Sequence, residues 1–288
     1  MAIPAVMIQG LGMQASDWPG TLIAALAGDR RLIIFDNRDA GLSQLFGVAT
    51  DQTLVPSTFP DHRPWPHPVA YTLFDMANDV VLLMNALNIG RVHLVGFSMG
   101  GMIAQITAAY HPSRVASLVG LMTSAGQPWI DSTAAADHML RRSILFEHDE
   151  ERLLEMWLEA EEIYAGPMSL PDWDTRRLAL AQSVARAYRP AGIWRQACAM
   201  RASDDRQALL RTVTAPSLMI HGEEDPVIAL RQALEARRLM PQTDFQVLGG
   251  TGHALTEENS TPLAASIKSF WAETEESSAS KSSIGHLS

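Results

Sequence analysis

The 288-residue sequence contains a single cysteine, Cys198. One cysteine cannot form an internal disulfide, and it excludes a metal site built from several cysteines. The fold must therefore be held together by packing alone. A hydrophobic content of 47% and a charged content of 19% are sufficient for a substantial core.

Positive charge is also scarce, since 22 Lys and Arg residues face 32 Asp and Glu residues, for a net charge of −10. Nucleic acids and anionic membrane surfaces are bound by basic patches, so this balance argues against both as partners. The sequence also lacks a run of 18 apolar residues and a basic region before its first apolar stretch. These absences predict a protein without a membrane span or a signal peptide. Such a protein is expected to be soluble and cytoplasmic.

What the sequence does contain is an alternation of apolar strands and amphipathic helices, joined by short connections. The strand patterns cover residues 5–9, 31–36, 92–96, 115–122, 217–221 and 244–248. Such an alternation predicts an α/β fold: a mostly parallel sheet with helices on both faces. Ligands of such folds bind at the carboxyl ends of the strands.

The alternation is interrupted between residues 126 and 213, where only helical patterns occur. Two of these patterns, at residues 149–164 and 175–188, would form amphipathic helices. This predicts a helical cap, residues 126–213, lying over the strand ends. The cap would be inserted into a core made of residues 1–125 and 214–272.

Two stretches show neither the hydrophobic period of a helix nor that of a strand. Residues 46–68 are rich in proline and predict a long surface loop that forms part of a pocket wall. This loop holds Asp61, His62 and His67, but they lack metal-ligand spacing, and we predict no metal and no other cofactor. Residues 273–288 are rich in serine and predict a disordered tail.

The pentapeptide Gly96-Phe97-Ser98-Met99-Gly100 carries the first chemical signal. It has the pattern Gly-x-Ser-x-Gly, and it lies between a buried strand and a predicted helix. A serine there sits on a turn so tight that the residues two before and two after it have no room for a Cβ. The turn lifts Oγ above the sheet edge, beside the free N–H groups of the helix N-terminus. Ser98 is therefore the candidate nucleophile.

A serine nucleophile needs a base to take its proton and a third group to orient that base. Asp225 follows the fifth strand pattern, and His253 follows the last one between flanking glycines. Both would lie at the carboxyl ends of strands, where Ser98 also emerges. Glu223 and Glu224 are nearby rivals for the role of the acid, and a helix cap is the alternative role for Asp225.

An acyl-transfer site also needs two N–H donors for the developing oxyanion. Met99, in the first turn of the helix, is one candidate. Leu11, in the glycine-flanked loop after the first strand, is the other. Trp157 and Trp194 of the predicted cap are candidate pocket-lining residues, with core packing as the alternative for each.

Six motifs taken together resemble those of the α/β-hydrolase superfamily. They are Gln9-Gly10-Leu11-Gly12, Asp36-Asn37-Arg38-Asp39-Ala40-Gly41-Leu42-Ser43, the Gly-x-Ser-x-Gly pentapeptide, His111-Pro112-Ser113-Arg114-Val115, Gly222-Glu223-Glu224-Asp225-Pro226 and Gly252-His253. Within the superfamily, the sequence is similar to capped serine carboxylesterases that resemble aclacinomycin methylesterase. The resemblance implies the α/β-hydrolase fold, a nucleophile at Ser98, an acid at Asp225 and a base at His253. It also implies oxyanion donors at Leu11 and Met99.

Two features depart from the family pattern. Members usually have His-Gly in the oxyanion loop, where this sequence has Gln9-Gly10. Because backbone N–H groups form the hole, Gln9 is expected to affect the support of the loop and not the donors themselves. Members also have a β-hairpin before the strand that begins here at Ala5. Without it, the strand at residues 32–36 becomes a sheet edge, which is prone to pairing unless another chain covers it. The missing segment indicates either a truncation or an edge that is covered in a homo-oligomer.

These residues predict a serine hydrolase that cleaves small-molecule carboxylic esters or lactones through an acyl-enzyme on Ser98. The same residues serve relatives that remove N-terminal proline, cleave C–C bonds, or act as cofactor-free perhydrolases and haloperoxidases. Epoxide and haloalkane hydrolysis are disfavoured because they require a carboxylate nucleophile. A non-catalytic ligand-binding receptor that retains the pocket is the alternative from another class.

Overall fold

The computed structural model describes residues 2–28, 30–47, 68–127, 130–143, 149–203 and 205–284. Most of the predicted proline-rich loop lies outside these residues. So do Asp61, His62 and His67, the three residues weighed above as metal ligands.

Six strands form one sheet, in the order β2-β1-β3-β4-β5-β6, and every neighbouring pair is parallel. The strands are β1 Ala5–Ile8, β2 Leu32–Ile34, β3 Val92–Phe97, β4 Val115–Leu121, β5 Ser217–Gly222 and β6 Thr243–Leu248. The predicted parallel α/β sheet is confirmed. In the described residues β2 lies at one edge of this sheet, as expected where no hairpin precedes β1.

Helices cover both faces of the sheet, because alternate strand residues bury apolar side chains on opposite sides. Val6 and Leu94 pack on the side of α2 (Leu73–Ala86) and α3 (Met99–Tyr110). Met7 and Val95 pack on the other side, beneath α1 and α10. The remaining helices near the sheet are α1 Gly20–Ala27, α9 Leu230–Leu239 and α10 Glu257–Ile284.

The helices between β4 and β5 lie where the sequence places the cap. They are α4 Ala134–Ser143, α5 Glu150–Ala165, α6 Trp173–Ala187, α7 Pro190–Ala202 and the short α8 Gln207–Leu210. Met139, Leu153 and Met156 form a small apolar cluster between α4 and α5. In the described part of the chain, no helix has both the length and the apolar character needed to cross a membrane.

The C-terminal region differs from the prediction, because α10 continues to Ile284 where a disordered tail was expected from residue 273. The extension is held by specific contacts. Thr274 is buried, and the Glu275 carboxylate accepts hydrogen bonds from Arg30 at 2.8 Å and from His93 at 2.9 Å. The disordered-tail prediction is therefore wrong for residues 273–284, and residues 285–288 lie outside the described range.

Candidate active site

Ser98 occupies a sharp turn between the end of β3 and the start of α3. Its backbone angles are φ 52° and ψ −116°, which residues other than glycine rarely adopt. Two hydrogen bonds hold the turn. The Ser98 N–H donates to the carbonyl of Leu121 at 2.9 Å, and the Thr123 hydroxyl donates to the carbonyl of Ser98 at 2.8 Å.

The glycines around Ser98 are required by close backbone approaches. A Cβ on Gly96 would collide with the carbonyl of Gly100, and one on Gly100 would collide with the carbonyl of Ile8 at the end of β1. The N-terminus of α3 therefore lies directly against two strand ends. This packing is the physical reason for the Gly-x-Ser-x-Gly pattern.

The structure brings together the three residues predicted to form a triad. His253 Nε2 lies 2.9 Å from Ser98 Oγ, and His253 Nδ1 lies 2.8 Å from Asp225 Oδ2. The other carboxylate oxygen of Asp225 accepts the backbone N–H groups of Val227 and Ile228, at 2.9 and 2.8 Å. With Nδ1–H donating to the carboxylate, Nε2 is free to accept the serine proton.

The Asp225 carboxylate also contacts His221, a residue that sequence reasoning did not assign to the site. His221 Nε2 lies 3.2 Å from Asp225 Oδ2 and 2.8 Å from the carbonyl oxygen of Ile228. A carbonyl can only accept, so Nε2 carries the hydrogen and shares it between the two oxygens. The only sequence signal was the position of His221 in β5, four residues before Asp225.

Burial and hydrogen bonding act in opposite directions on this buried cluster. Burial acts to raise the pKa of the Asp225 carboxyl, but the two imidazoles and the N–H of Ile228 outweigh it and hold that pKa below its usual value. Burial lowers the pKa of His221. At neutral pH the arrangement therefore consists of an ionised Asp225 and an uncharged His221.

The two predicted oxyanion donors come from the start of α3 and from the loop after β1. Met99 is the first residue of α3, so its backbone N–H has no acceptor within the helix. Leu11 lies in the loop after β1 and lines the same cavity as Ser98. Their roles as donors remain predictions.

A cavity of about 1040 Å³ opens in front of Ser98 and His253. Core and cap both line it, and Trp157 of α5 is among the lining residues. Trp194 of α7 is not among them, and it packs in an apolar cluster with Ile193 and its neighbours, the alternative weighed for it from the sequence. Within the described residues, no cluster of three His, Cys, Asp or Glu side chains is arranged to hold a metal ion.

The chain resembles one known protein in sequence and two solved structures in fold. The chain is 29% identical over 256 residues to "Putative carbamate hydrolase RutD" of Variovorax paradoxus (strain S110), covering 88% of this chain and 86% of the relative. Its fold matches a thermophilic esterase from Thermogutta terrifontis with a TM-score of 0.72 and 21% identity, over 95% and 91% of the two chains. It also matches a meta-cleavage product hydrolase from Pseudomonas fluorescens IP01 with a TM-score of 0.73 and 22% identity, over 94% and 91%.

A family model matches most of the length of the chain. The model for the alpha/beta hydrolase fold matches residues 4–260, a span that includes the sheet, the cap helices and all three residues of the Ser98 cluster. The chain therefore belongs to the alpha/beta hydrolase fold family.

Proposed function

We propose that this alpha/beta hydrolase is a serine hydrolase that cleaves small-molecule carboxylic esters or lactones through an acyl-enzyme. The observation that carries the proposal is the unbroken hydrogen-bonded series Ser98–His253–Asp225, with distances of 2.9 and 2.8 Å. Its serine end faces a cavity large enough for an organic substrate.

Each residue of the series has one chemical role. His253 Nε2 accepts the proton of the Ser98 hydroxyl as Oγ attacks the carbonyl carbon. Asp225 keeps Nδ1 protonated and stabilises the imidazolium that forms. The low pKa of Asp225 suits this role, because an ionised carboxylate is needed opposite the charged ring.

The remaining steps follow from the same groups. The backbone N–H groups of Leu11 and Met99 would stabilise the negative oxygen of the tetrahedral intermediate. His253 then gives its proton to the leaving alcohol, and the C–O bond breaks to leave an acyl group on Ser98. Water, deprotonated by His253, attacks this ester. The bond from the acyl carbon to Ser98 Oγ then breaks, Oγ regains the proton from His253, and the acid is released.

The cavity bears on the size of the substrate. Its volume of about 1040 Å³ is at the upper end of the roughly 300–1,000 Å³ of ordinary ligand pockets. Apolar side chains from the cap contribute to its wall, including Leu140, Trp157 and Leu180. These features favour esters with a sizeable apolar group. A carbamate, the class in the name of the relative from Variovorax, also presents a carbonyl carbon to Ser98.

The proposal is tested with p-nitrophenyl esters of increasing acyl length, and with lactones, carbamates, a prolyl amide and a C–C cleavage substrate. We expect the esters or lactones to be turned over fastest. A fluorophosphonate should label wild-type protein on Ser98, as located by peptide mass spectrometry. Ser98→Ala should abolish both turnover and labelling, whereas Ser269→Ala, at an exposed serine of α10, should change neither.

Two outcomes would contradict the proposal. One is an Ser98→Ala variant that retains full esterase activity, since another nucleophile would then act. The other is a wild-type protein that binds ester analogues in the cavity but neither reacts with a fluorophosphonate nor turns over any ester, which would indicate a receptor.

A further inference from the structure

The loop after β1, which carries the predicted oxyanion donor Leu11, is held by a residue of the cap. Gln196 lies on α7 and is 1% exposed. Its Oε1 accepts the backbone N–H of Gly12 at 2.9 Å, and its Nε2 donates to the carbonyl of Arg38 at 2.8 Å. One side-chain amide thus connects the cap to the loops that follow β1 and β2.

A second cap helix holds the same loop two residues further on. Gln14 is buried, and its Nε2 donates to the carbonyl and the hydroxyl of Ser183 on α6, at 2.6 and 2.8 Å. Its Oε1 accepts a hydrogen bond from Arg186 of α6 at 2.7 Å. Both ends of the Gln14 amide are therefore bound by α6.

The helix that carries Gln196 is itself fixed against the core. Arg195 forms a two-bond ion pair with the fully buried Asp39, at 2.8 and 2.7 Å. A Cβ on Gly192 would collide with the carbonyl of Asp39, so the backbone of α7 is in direct contact with the backbone of the loop after β2. These contacts fix α7, and with it Gln196, against the loop after β2.

The backbone of Gly12 lies in the left-handed region. Its φ of +72° is a conformation that residues with a side chain rarely adopt. A Cβ at this position would lie 3.0 Å from Cγ1 of Ile193, also on α7. The bond from its N–H to Gln196 therefore holds in place the residue next to Leu11, in a loop that α7 contacts directly.

We infer that Gln196 is a positioning residue of the active site: it holds the loop so that the Leu11 N–H points to the reacting oxygen. The inference rests on the proposed acyl-enzyme chemistry, in which that N–H stabilises the oxyanion. It makes the cap part of the catalytic machinery as well as a wall of the cavity.

The test replaces Gln196 with Met, which keeps the length of the side chain but removes the acceptor. A displacement of a catalytic group by about 1 Å costs on the order of 10² in rate. We therefore expect kcat on a p-nitrophenyl ester to fall between about tenfold and a hundredfold, with KM changed less than about twofold. The inhibition constant of a trifluoromethyl ketone, whose adduct with Ser98 carries an oxyanion, should rise by a similar factor. The pH profile of kcat/KM should stay unchanged, because the triad is untouched.

Two further variants separate positioning from general loss of structure. Gln196→Glu keeps an oxygen that can accept the Gly12 N–H, but its other oxygen faces the carbonyl of Arg38, so it should recover part of the lost kcat. Gln232→Met removes a similarly buried glutamine that accepts the backbone N–H of Asp131 at 2.6 Å, away from the loop after β1. This control should lower stability to a similar extent and leave kcat within about twofold of wild type.

The outcomes for the two proposals can be told apart. If Ser98→Ala abolishes turnover but Gln196→Met keeps full kcat and full affinity for the ketone, the positioning role is overturned and the proposed function stands. An increase in KM alone would equally overturn it, because that result indicates a role in substrate binding. If Ser98→Ala retains activity, the proposed function itself fails.

Discussion

His221 Nε2 lies 3.2 Å from Oδ2 of Asp225, the same carboxylate oxygen that His253 Nδ1 contacts at 2.8 Å. The Asp225 carboxylate thus receives N–H groups from two histidines on one oxygen and from two backbone amides on the other. This number of donors accounts for an ionised carboxylate in a buried place.

His221→Leu should therefore weaken the alignment of Asp225. Removing one donor leaves His253 and the backbone amides in place, so we expect kcat to fall about tenfold. His221→Gln places an amide N–H near the position of Nε2 and should retain most of the activity. Steady-state kinetics on a p-nitrophenyl ester measures both, and equal kcat values for the two variants would contradict the role of the donor.

Asp225→Asn should have a much larger effect on rate than on stability. An asparagine can still accept the N–H groups of Val227 and Ile228, but it cannot hold the Nδ1–H tautomer of His253. Loss of this function typically costs on the order of 10⁴ in kcat. The matched control is Glu224→Gln, an exposed carboxylate of the same loop, which should leave kcat unchanged. A comparable loss of kcat in Glu224→Gln would contradict the proposed role of Asp225 as the acid.

Gly100→Ala should disturb both the fold and the position of Ser98. Its Cβ would collide with backbone carbonyls of Ile8 and Gln9, which cannot move without shifting the end of β1. We expect the free energy of unfolding to fall by about 3 kcal/mol. Gly90→Ala meets no atom within 4 Å and should change it by less than about 0.5 kcal/mol. Urea unfolding of the two variants provides the comparison, and equal stabilities would contradict the packing argument.

Gln9→Met should stabilise the protein. Gln9 is fully buried, and neither polar atom of its side chain has a hydrogen-bond partner among the described residues. Replacing this amide by an apolar group of similar length removes a desolvation cost, so the free energy of unfolding should rise by about 1 kcal/mol. Gln105→Met should raise it less or lower it, because Gln105 Nε2 donates to the carbonyl of Ser124 at 2.9 Å and only its Oε1 has no partner among the described residues. A loss of stability in both variants would contradict the expectation for Gln9.

Stability should also depend on pH through His93. Burial lowers its pKa from 6.5 to about 4, with a smaller lowering from Arg30 and Arg91 against the opposing effect of Glu275. The unfolded chain therefore binds this proton at a higher pH than the folded chain. The contribution of neutral His93 is complete above pH 6.5 and is lost as pH falls toward 4.

Between these values, one such proton changes the free energy of unfolding by about 1.4 kcal/mol per pH unit. His93→Gln removes the titrating group, while its amide can still reach toward Ser117 and Glu275. The slope of stability against pH, from urea unfolding at pH 4.5 to 7, should be smaller by this amount in the variant. Parallel curves for the two proteins would exclude His93 as the source.

The parts of the site that were predictable depend on short-range sequence signals. Gly96 and Gly100 are required by the sharp turn at Ser98, so they appear within five residues of the sequence. Asp225 and His253 were found because each follows an apolar strand pattern, and the carboxyl ends of parallel strands share one edge. The sheet itself was predictable from the strand and helix periods for the same reason.

The parts that sequence reasoning missed depend on partners far away in the chain. The extension of α10 was predicted as disordered from its serine-rich composition, yet Glu275 pairs with Arg30 and His93, 245 and 182 residues away. Trp194 was a candidate pocket residue because it falls in the predicted cap, and the structure packs it in an apolar cluster with Ile193, Ala197 and Cys198. No local period carries such information.

The sequence by itself therefore determined the chemical groups, their order in the chain and the sharp turn that presents Ser98. Only the tertiary structure decided how those groups are supported. Gln196 and Gly12 are 184 residues apart, and His221 meets Asp225 only where β5 and the loop after it fold together. The first of these hydrogen bonds arises from the way the cap packs on the sheet, and its geometry depends on many distant contacts at once. The second depends on the local course of the backbone after β5.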